Sequence, residues 1–464
     1  MRSKPAAPDL MPTQAHSNAS LPIDMAHPDA CLSPIHEAPY DHLETRSPQE
    51  RAADFWSTLP RIAAHAKTQA QAWGERLRGI DPESLNCPAA LAQLPVLRKA
   101  QLLQSQRDSL ARGGDVFGGH AAVGWGTRRP QGSAAALRVF CSPGPLFEPQ
   151  GQAPDYWRMA RALHAAGLRR GDLLHNSFSY HFTPAAAMLE AGALALGCTV
   201  FPAGVGQTEQ QVLALHAMRT SAYCGTPSFL GILLDKAAAM DLKLPHLRCA
   251  LVSGEALTPD LRARFARAGV HTRQCYATAD IGLIAYETCA PDGLVLDEHV
   301  WVDILDTDDQ PVADGEVGEV VVTSLNPDYP LLRFGTGDLS AIVPASRAQA
   351  DPCGRTQLRL RGWLGRADQA TKVRGLFVHP QQVQDIVKRH AQILRARLQI
   401  SQHAGEDQMT LQCECEQPSR ALEQAIQSSA RECTKLRAQV QWLAPATLPD
   451  DGKLIIDQRP SISG

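Results

Sequence analysis

The sequence carries no excess of basic charge. Its 464 residues hold 45 Lys and Arg against 48 Asp and Glu, a formal net charge of −3. A nucleic-acid backbone is gripped by clustered cations, so nucleic-acid binding is excluded as the main role. A secretory leader is also missing: MRSKPAAPDLMPTQAHSNAS has no apolar core followed by a small-residue cleavage site. No apolar run is long enough to cross a membrane unbroken. The most apolar stretch, 185–206, contains Glu190, Pro202 and four glycines, and reads as a buried helix followed by a strand. The GxSxG, HExxH and GxGxxG patterns are absent, which removes the sequence support for a hydrolase, a zinc protease or a dinucleotide-binding protein. Aromatic residues make up only 5%. Cysteine is not scarce, but the 12 cysteines are scattered. That fits reduced thiols in a cytoplasmic protein better than a disulfide framework.

What is present is ordinary globular composition, 44% hydrophobic and 20% charged. At about 100–200 residues per domain, the length suits two to four domains. Residues 1–36 are rich in Pro, Ser, His and Ala without periodicity, and read as a disordered leader. From 46 to 111 the pattern is helical. Ser47, Pro48 and Glu50 predict a capped helix start. A Gly-rich loop follows over 112–136. From 155 to 325 short apolar strands (172–175, 198–202, 222–224, 249–253) alternate with helices (184–196, 206–219, 228–240, 258–268). That order predicts βαβ units on a largely parallel sheet. After residue 300 the period shifts toward two, which predicts antiparallel β. The last hundred residues read β-α-β-β-α-β, starting with a strand over 373–378. The expected fold is therefore α/β. A large N-terminal domain (37–364) has several subdomains, with mostly parallel sheets plus an antiparallel β region. A small C-terminal α+β domain (365–464) follows. No internal repeat is visible.

Four segments carry candidate chemistry. In YPLLRFGTGDLS (329–340), Leu331 and Leu332 read as a buried strand, with Asp338 on the turn after it. A carboxylate there either accepts hydrogen bonds from a vicinal diol or shapes an Asx turn. In LGRADQATKVRG (364–375), Arg366 and Asp368 precede a strand and Gly375 marks a close approach, or the segment is an ordinary charged linker. In HTRQCYATADIGL (271–283), a strand ends and a helix is expected to open. Tyr276 suits stacking on a planar base and Asp280 suits a magnesium ion; the other reading is an acidic helix start. Gly254, in LVSGEAL (251–257), follows a strand at the edge where parallel sheets bind ligands. In LPDDGKLIIDQR (448–459), Lys453 follows an Asp-Asp-Gly turn and, taken alone, reads as a solvent-exposed side chain.

Taken together, these blocks resemble the adenylate-forming superfamily, and most closely its phenylacetate–coenzyme A ligase branch. The resemblance runs from about Tyr40 to Arg459, and ETRSPQERAADFWSTLPRIAAHAK (44–67) is similar to the start of that branch. It implies an enzyme that activates a small carboxylic acid with ATP and Mg²⁺, then transfers the acyl group to coenzyme A. It implies that Asp338 holds the ribose hydroxyls and Tyr276 lies beside the adenine. Gly254, Glu255 and Ala256 would form the adenine-side loop, and Asp280 would stand near magnesium. Arg366 would lie near the ribose and Asp368 at the hinge of a mobile C-terminal domain. Lys453 would contact the carboxylate and phosphate during adenylation. No membrane partner is implied, and a homodimer is left open.

The sequence also departs from the family pattern. Where a Ser, Thr and Gly-rich phosphate loop should stand, it reads VFCSPGPLFEPQGQ (139–152). Pro143, Pro145 and Pro149 have no N–H to offer a phosphate, and Glu148 adds negative charge. Ala277, Ala279 and Asp280 replace a usual glycine, hydroxyl residue and glutamate. Cys289, His299 and Cys353 match part of a zinc knot seen in some relatives, three of the four ligands a closed site needs. An aryl-acid pocket is expected around HNSFSYHF (175–182) and YCGTPSFL (223–230), or those residues are core. Two rival readings stay open: a repurposed binder that has lost ATP activation, and an adenylating enzyme with a carrier-protein or amine acceptor.

Overall fold

The computed structural model describes residues 38–126, 133–142, 145–290, 292–347, 352–369, 371–373, 376–403 and 406–459. The expected leader over 1–36 lies outside them. The first long helix, Pro48–Gln69, starts on a capping box. The Ser47 hydroxyl accepts from the Glu50 N–H, and the Glu50 carboxylate accepts from the Ser47 N–H. Its inner face buries Phe55, Leu59, Ala63 and Ala66 in the main core.

The alternation after 155 does build a parallel sheet. Strands Thr199–Pro202, Leu173–Asn176, Ala222–Gly225, Cys249–Val252 and His271–Thr278 lie side by side in that order, all parallel. The sheet then continues antiparallel through Gly282–Tyr286, Leu294–Leu296 and Arg359–Leu360. A second sheet pairs Val300–Leu305, Gly318–Ser324 and Phe334–Ser340 antiparallel, with Gly365–Arg366 added on the far side of Phe334–Ser340. The period-two pattern after 300 is thus antiparallel β, as its alternation requires.

Three local expectations are corrected. Asp338 lies inside the strand Phe334–Ser340 and not on a turn after one. Leu331 and Leu332 are buried but precede that strand. Gly337, at φ +74°, lets the strand carry an irregularity that the residue pattern does not announce. Second, no helix opens after Tyr276. The strand His271–Thr278 turns back at Ala279 and Asp280 into Gly282–Tyr286. Gly282, at φ +84°, sits against the Trp157 backbone, where a Cβ would come within 3.0 Å. Third, 373–378 is not one strand. Thr371–Val373 and Leu376–Val378 pair antiparallel, and the sheet's outer strand is Ile455–Asp457. The sheet order is Gln439–Leu443, Glu406–Glu414, Arg395–His403, Ile455–Asp457. Helices Pro380–Lys388 and Arg420–Thr434 pack on it around Val383, Ile386, Leu398, Leu411 and Ile426, a core separate from the main one.

His120 is 2% exposed, packs edge-on to Trp73, and has neither ring nitrogen hydrogen-bonded. Burial, with the nearby Arg76 charge, lowers its pKa from 6.5 to about 4. The unfolded chain therefore binds a proton below pH 6.5 that the folded chain refuses until pH 4. Stability should fall across that window by up to about 3 kcal/mol from this group. His120→Phe should lose that dependence, so the stability gap between wild type and variant should move in the variant's favour between pH 7 and 4. Urea midpoints measured at several pH values test this, and a constant gap would refute it.

Candidate active site

The parallel strands end on one edge, and Gly254 sits just past Cys249–Val252 at that edge. Its φ of +81° is a left-handed conformation that glycine adopts without strain. A Cβ there would meet only the Thr226 methyl at 3.8 Å and the Phe178 ring at 4.0 Å, so backbone conformation rather than crowding requires the glycine. Glu255 and Ala256 follow on the same exposed loop. The Glu255 carboxylate accepts from the Ser228 hydroxyl at 2.9 Å and the Ser228 N–H at 3.2 Å. It thereby ties the loop to the N-terminus of Pro227–Ala239.

Three side chains meet on the Asp338 carboxylate. The two strands align Asp338 directly opposite Arg366. The Arg366 guanidinium donates to Asp338 Oδ1 at 3.0 Å and the Trp363 indole N–H to the same oxygen at 3.1 Å. The Tyr276 hydroxyl donates to Oδ2 at 2.9 Å and reaches Thr336 Oγ1 at 3.3 Å. Burial, together with the Asp338 charge, drives the Tyr276 pKa well up, so its proton stays available to donate. Gly337 is needed twice over: for its positive φ, and because a Cβ would stand 2.6 Å from Arg366 Nη2. The structure thus brings together Tyr276, Asp338 and Arg366. Trp363, half exposed on the connecting segment, was not foreseen, and a lone tryptophan beside Gly362 gave no signal.

Asp280 is 5% exposed, and its Oδ2 accepts from Lys99 Nζ at 3.0 Å. The hairpin Arg138–Ser142 and Leu146–Gln150 places Glu148, 2% exposed, near it. Burial and the Asp280 charge push the Glu148 carboxyl up. Lys453 is exposed on the 449–453 loop and lines a cavity of about 470 Å³ together with Trp363, Lys388 and Arg397. Asp368 sits in the turn Ala367–Gln369. Gly375 lies outside the described residues, as do Pro143 and Gly144 of the altered loop.

The zinc expectation is corrected. Among the described residues, no three His, Cys, Asp or Glu side chains gather as a metal site, so Cys289, His299 and Cys353 do not form one. The Cys353 sulfur is instead approached at 2.7 Å by the Arg355 guanidinium, and His299 Nδ1 lies 3.7 Å from Asp297. Of the residues expected in an aryl-acid pocket or in the core, His175 belongs to the core. His175 is fully buried, hydrogen-bonded to Gln211 at 2.8 Å and packed between Phe201 and Tyr223. Phe182 is 78% exposed. Of that group, Thr226 and Phe178 stand by Gly254.

A family profile described as AMP-binding enzyme matches residues 155–326. Over 414 residues the chain is 27% identical to phenylacetate-coenzyme A ligase of Aromatoleum evansii, covering 82% of this chain and 88% of that one. The chain is similar to AMP-binding enzymes, and among them to phenylacetate–coenzyme A ligases. Identity to the Thermus thermophilus phenylacetate-coenzyme A ligase is 32% over 238 residues, 49% of this chain and 53% of that relative. Its fold superposes on an open conformation of 2-hydroxyisobutyryl-CoA ligase in complex with 2-HIB-AMP and CoA. The TM-score is 0.75 at 23% identity, over 89% of this chain and 93% of that one. Among its described residues no helix is long and apolar enough to cross a membrane.

Proposed function

We propose that this chain is an ATP-dependent acid–coenzyme A ligase acting through an acyl-adenylate, on phenylacetate or a related aryl acid. The observation that carries the reading is the convergence of Tyr276, Arg366 and Trp363 on Asp338, on the ribose-binding carboxylate of the resemblance. In the first half-reaction the substrate carboxylate attacks the α-phosphorus of ATP and pyrophosphate leaves. Asp338 holds the ribose, the Gly254–Ala256 loop borders the adenine, and the Lys453 ammonium offsets charge developing on the α-phosphate. In the second, the coenzyme A thiolate attacks the acyl carbonyl carbon and AMP leaves. Residues 365–464 turn about Asp368 between the two, because the two steps need different groups around one carbon. Asp280, buried with Oδ1 free of any partner, is suited to hold magnesium, which neutralises phosphate charge when bound. The cysteines described are free thiols, which fits a cytoplasmic site of action.

Pyrophosphate release from ATP and Mg²⁺, against a panel of aryl and short-chain acids, tests this directly. Release should require an aryl acid, and turnover should then require coenzyme A. Acid-dependent release without a coenzyme A requirement would point to a carrier-protein or amine acceptor. The second reading is a binder without ATP activation, and it is favoured by Glu148 on the altered loop. Its signature is AMP binding with no pyrophosphate from any acid.

A further inference from the structure

The strands Gly318–Ser324 and Phe334–Ser340 lose register beside Asp338. Glu319 pairs with Leu339 and Val321 with Gly335, so Val320 alone faces Thr336, Gly337 and Asp338. A bulge of this kind takes backbone N–H groups out of the regular ladder, and each then needs another acceptor. Side chains supply them. The Gly337 N–H donates to Glu319 Oε1 at 3.1 Å. The Asp338 N–H donates to Thr336 Oγ1 at 3.1 Å, and that hydroxyl donates to the Val320 carbonyl at 2.9 Å.

Glu319 has no part in the ribose contacts, yet it is held firmly. Its side chain is 12% exposed. Arg98 pairs with Oε2 and also with Asp309, which leaves Oε1 for Gly337. Both glycines of Phe334–Ser340 bear on this carboxylate. A Cβ on Gly335 would stand 2.6 Å from Glu319 Oε1, so that position must stay bare for the carboxylate to lie against the strand. Gly337 donates the N–H, at a φ of +74°. Glycine reaches that conformation without strain, but for the same reason nothing in the residue itself holds it there.

We propose that Glu319 is a positioning residue for Asp338: by accepting from the Gly337 N–H it fixes the backbone that aims the Asp338 carboxylate at Tyr276, Arg366 and Trp363. The holding force is the hydrogen bond and not the charge, which Arg98 already answers. A neutral acceptor in the same place therefore serves as well, and Arg98 keeps Asp309 when it is there. That the aimed carboxylate then receives a ribose rests on the ligase reading; the aiming itself does not.

The test uses the full chain labelled with 5-fluorotryptophan. Trp363→Phe assigns the Trp363 fluorine resonance, which reads the indole bond to Asp338 with no nucleotide present. That resonance should shift in Glu319→Ala and stay in place in Glu319→Gln. Calorimetry then compares AMP with 2′,3′-dideoxy-AMP, which has no diol for Asp338 to hold. Glu319→Ala should lose about tenfold in affinity for AMP and nothing for the dideoxy nucleotide, while Glu319→Gln should stay within about threefold of wild type for both. A purely structural role would lower both nucleotides together. Near-UV circular dichroism checks folding; if Glu319→Ala does not fold, Glu319→Met keeps the length without an oxygen and takes its place. A folded variant without the acceptor whose Trp363 resonance does not move overturns the proposal. So does an equal loss for both nucleotides, or a Glu319→Gln as impaired as Glu319→Ala. A wild type that binds AMP and dideoxy-AMP alike removes the ribose from Asp338, and the fluorine resonance still decides whether Glu319 positions it.

Discussion

Lys453→Ala is expected to lower acyl-adenylate formation by about 10²–10³-fold, the usual cost of removing one group aimed at developing transition-state charge. The fold should be unaffected, because the loop is pinned by atoms other than the lysine side chain. The Lys453 N–H donates to Asp451 Oδ1 at 3.0 Å and its carbonyl accepts from Arg397 Nε at 2.8 Å. Asp451 itself pairs with Arg397. Gln369, next to Asp368, accepts from the Leu454 N–H at 2.8 Å and donates to the Gly452 carbonyl at 3.3 Å. The connecting segment thus grips the chain on both sides of Lys453, so a turn at Asp368 would carry the lysine with it. If Lys453 serves only adenylation, the variant should still convert supplied acyl-adenylate and coenzyme A to thioester. Pyrophosphate release at the wild-type rate would remove Lys453 from the mechanism.

Asp338→Ala should weaken AMP and ATP binding by 10²-fold or more. Two hydrogen bonds from a ribose diol to a carboxylate are each worth about 1.5–3 kcal/mol, and each 1.4 kcal/mol is about tenfold. The loss of stability should be small by comparison. The Arg366 pair itself contributes little, because that guanidinium is 37% exposed, and the loss comes mainly from the Tyr276 and Trp363 donors left without Asp338. Asp338→Asn, which keeps the shape and one acceptor, should fall between. Calorimetry with AMP reads all three proteins, and equal affinities would show that the ribose is held elsewhere.

The parallel half of the fold was legible because strands buried on both faces and their helices leave strong periodic patterns. Ala222–Gly225 and Cys249–Val252 are fully buried apolar runs, and the helices between start at Thr-Pro caps. The errors came where backbone geometry or distant pairing decides. Gly337 makes an irregularity that composition does not reveal, so Asp338 was expected on a turn. The run at 276–280 looked like a helix start, yet its partner strand Gly282–Tyr286 claims it for a hairpin. Asp338, Arg366 and Tyr276 were legible as motif positions. Trp363 was not, and neither was Lys99, which meets Asp280 across 181 residues of sequence. Glu148 was visible as a stray charge, but its burial beside Asp280 needed the fold.

The hydrogen bonds on Asp338 carry a last consequence. Oδ1 already takes Arg366 and Trp363, which fills both of its lone pairs. On the ligase reading, a ribose that engages both oxygens must evict a resident donor. Arg366 is anchored a second time at the Thr336 carbonyl, whereas among the described residues the indole N–H donates to Asp338 alone and stands half in water. The indole is therefore the tenant that leaves. Nucleotide affinity in this protein is then an exchange constant, measured against an internal competitor of fixed concentration, and any substitution at Trp363 rescales it.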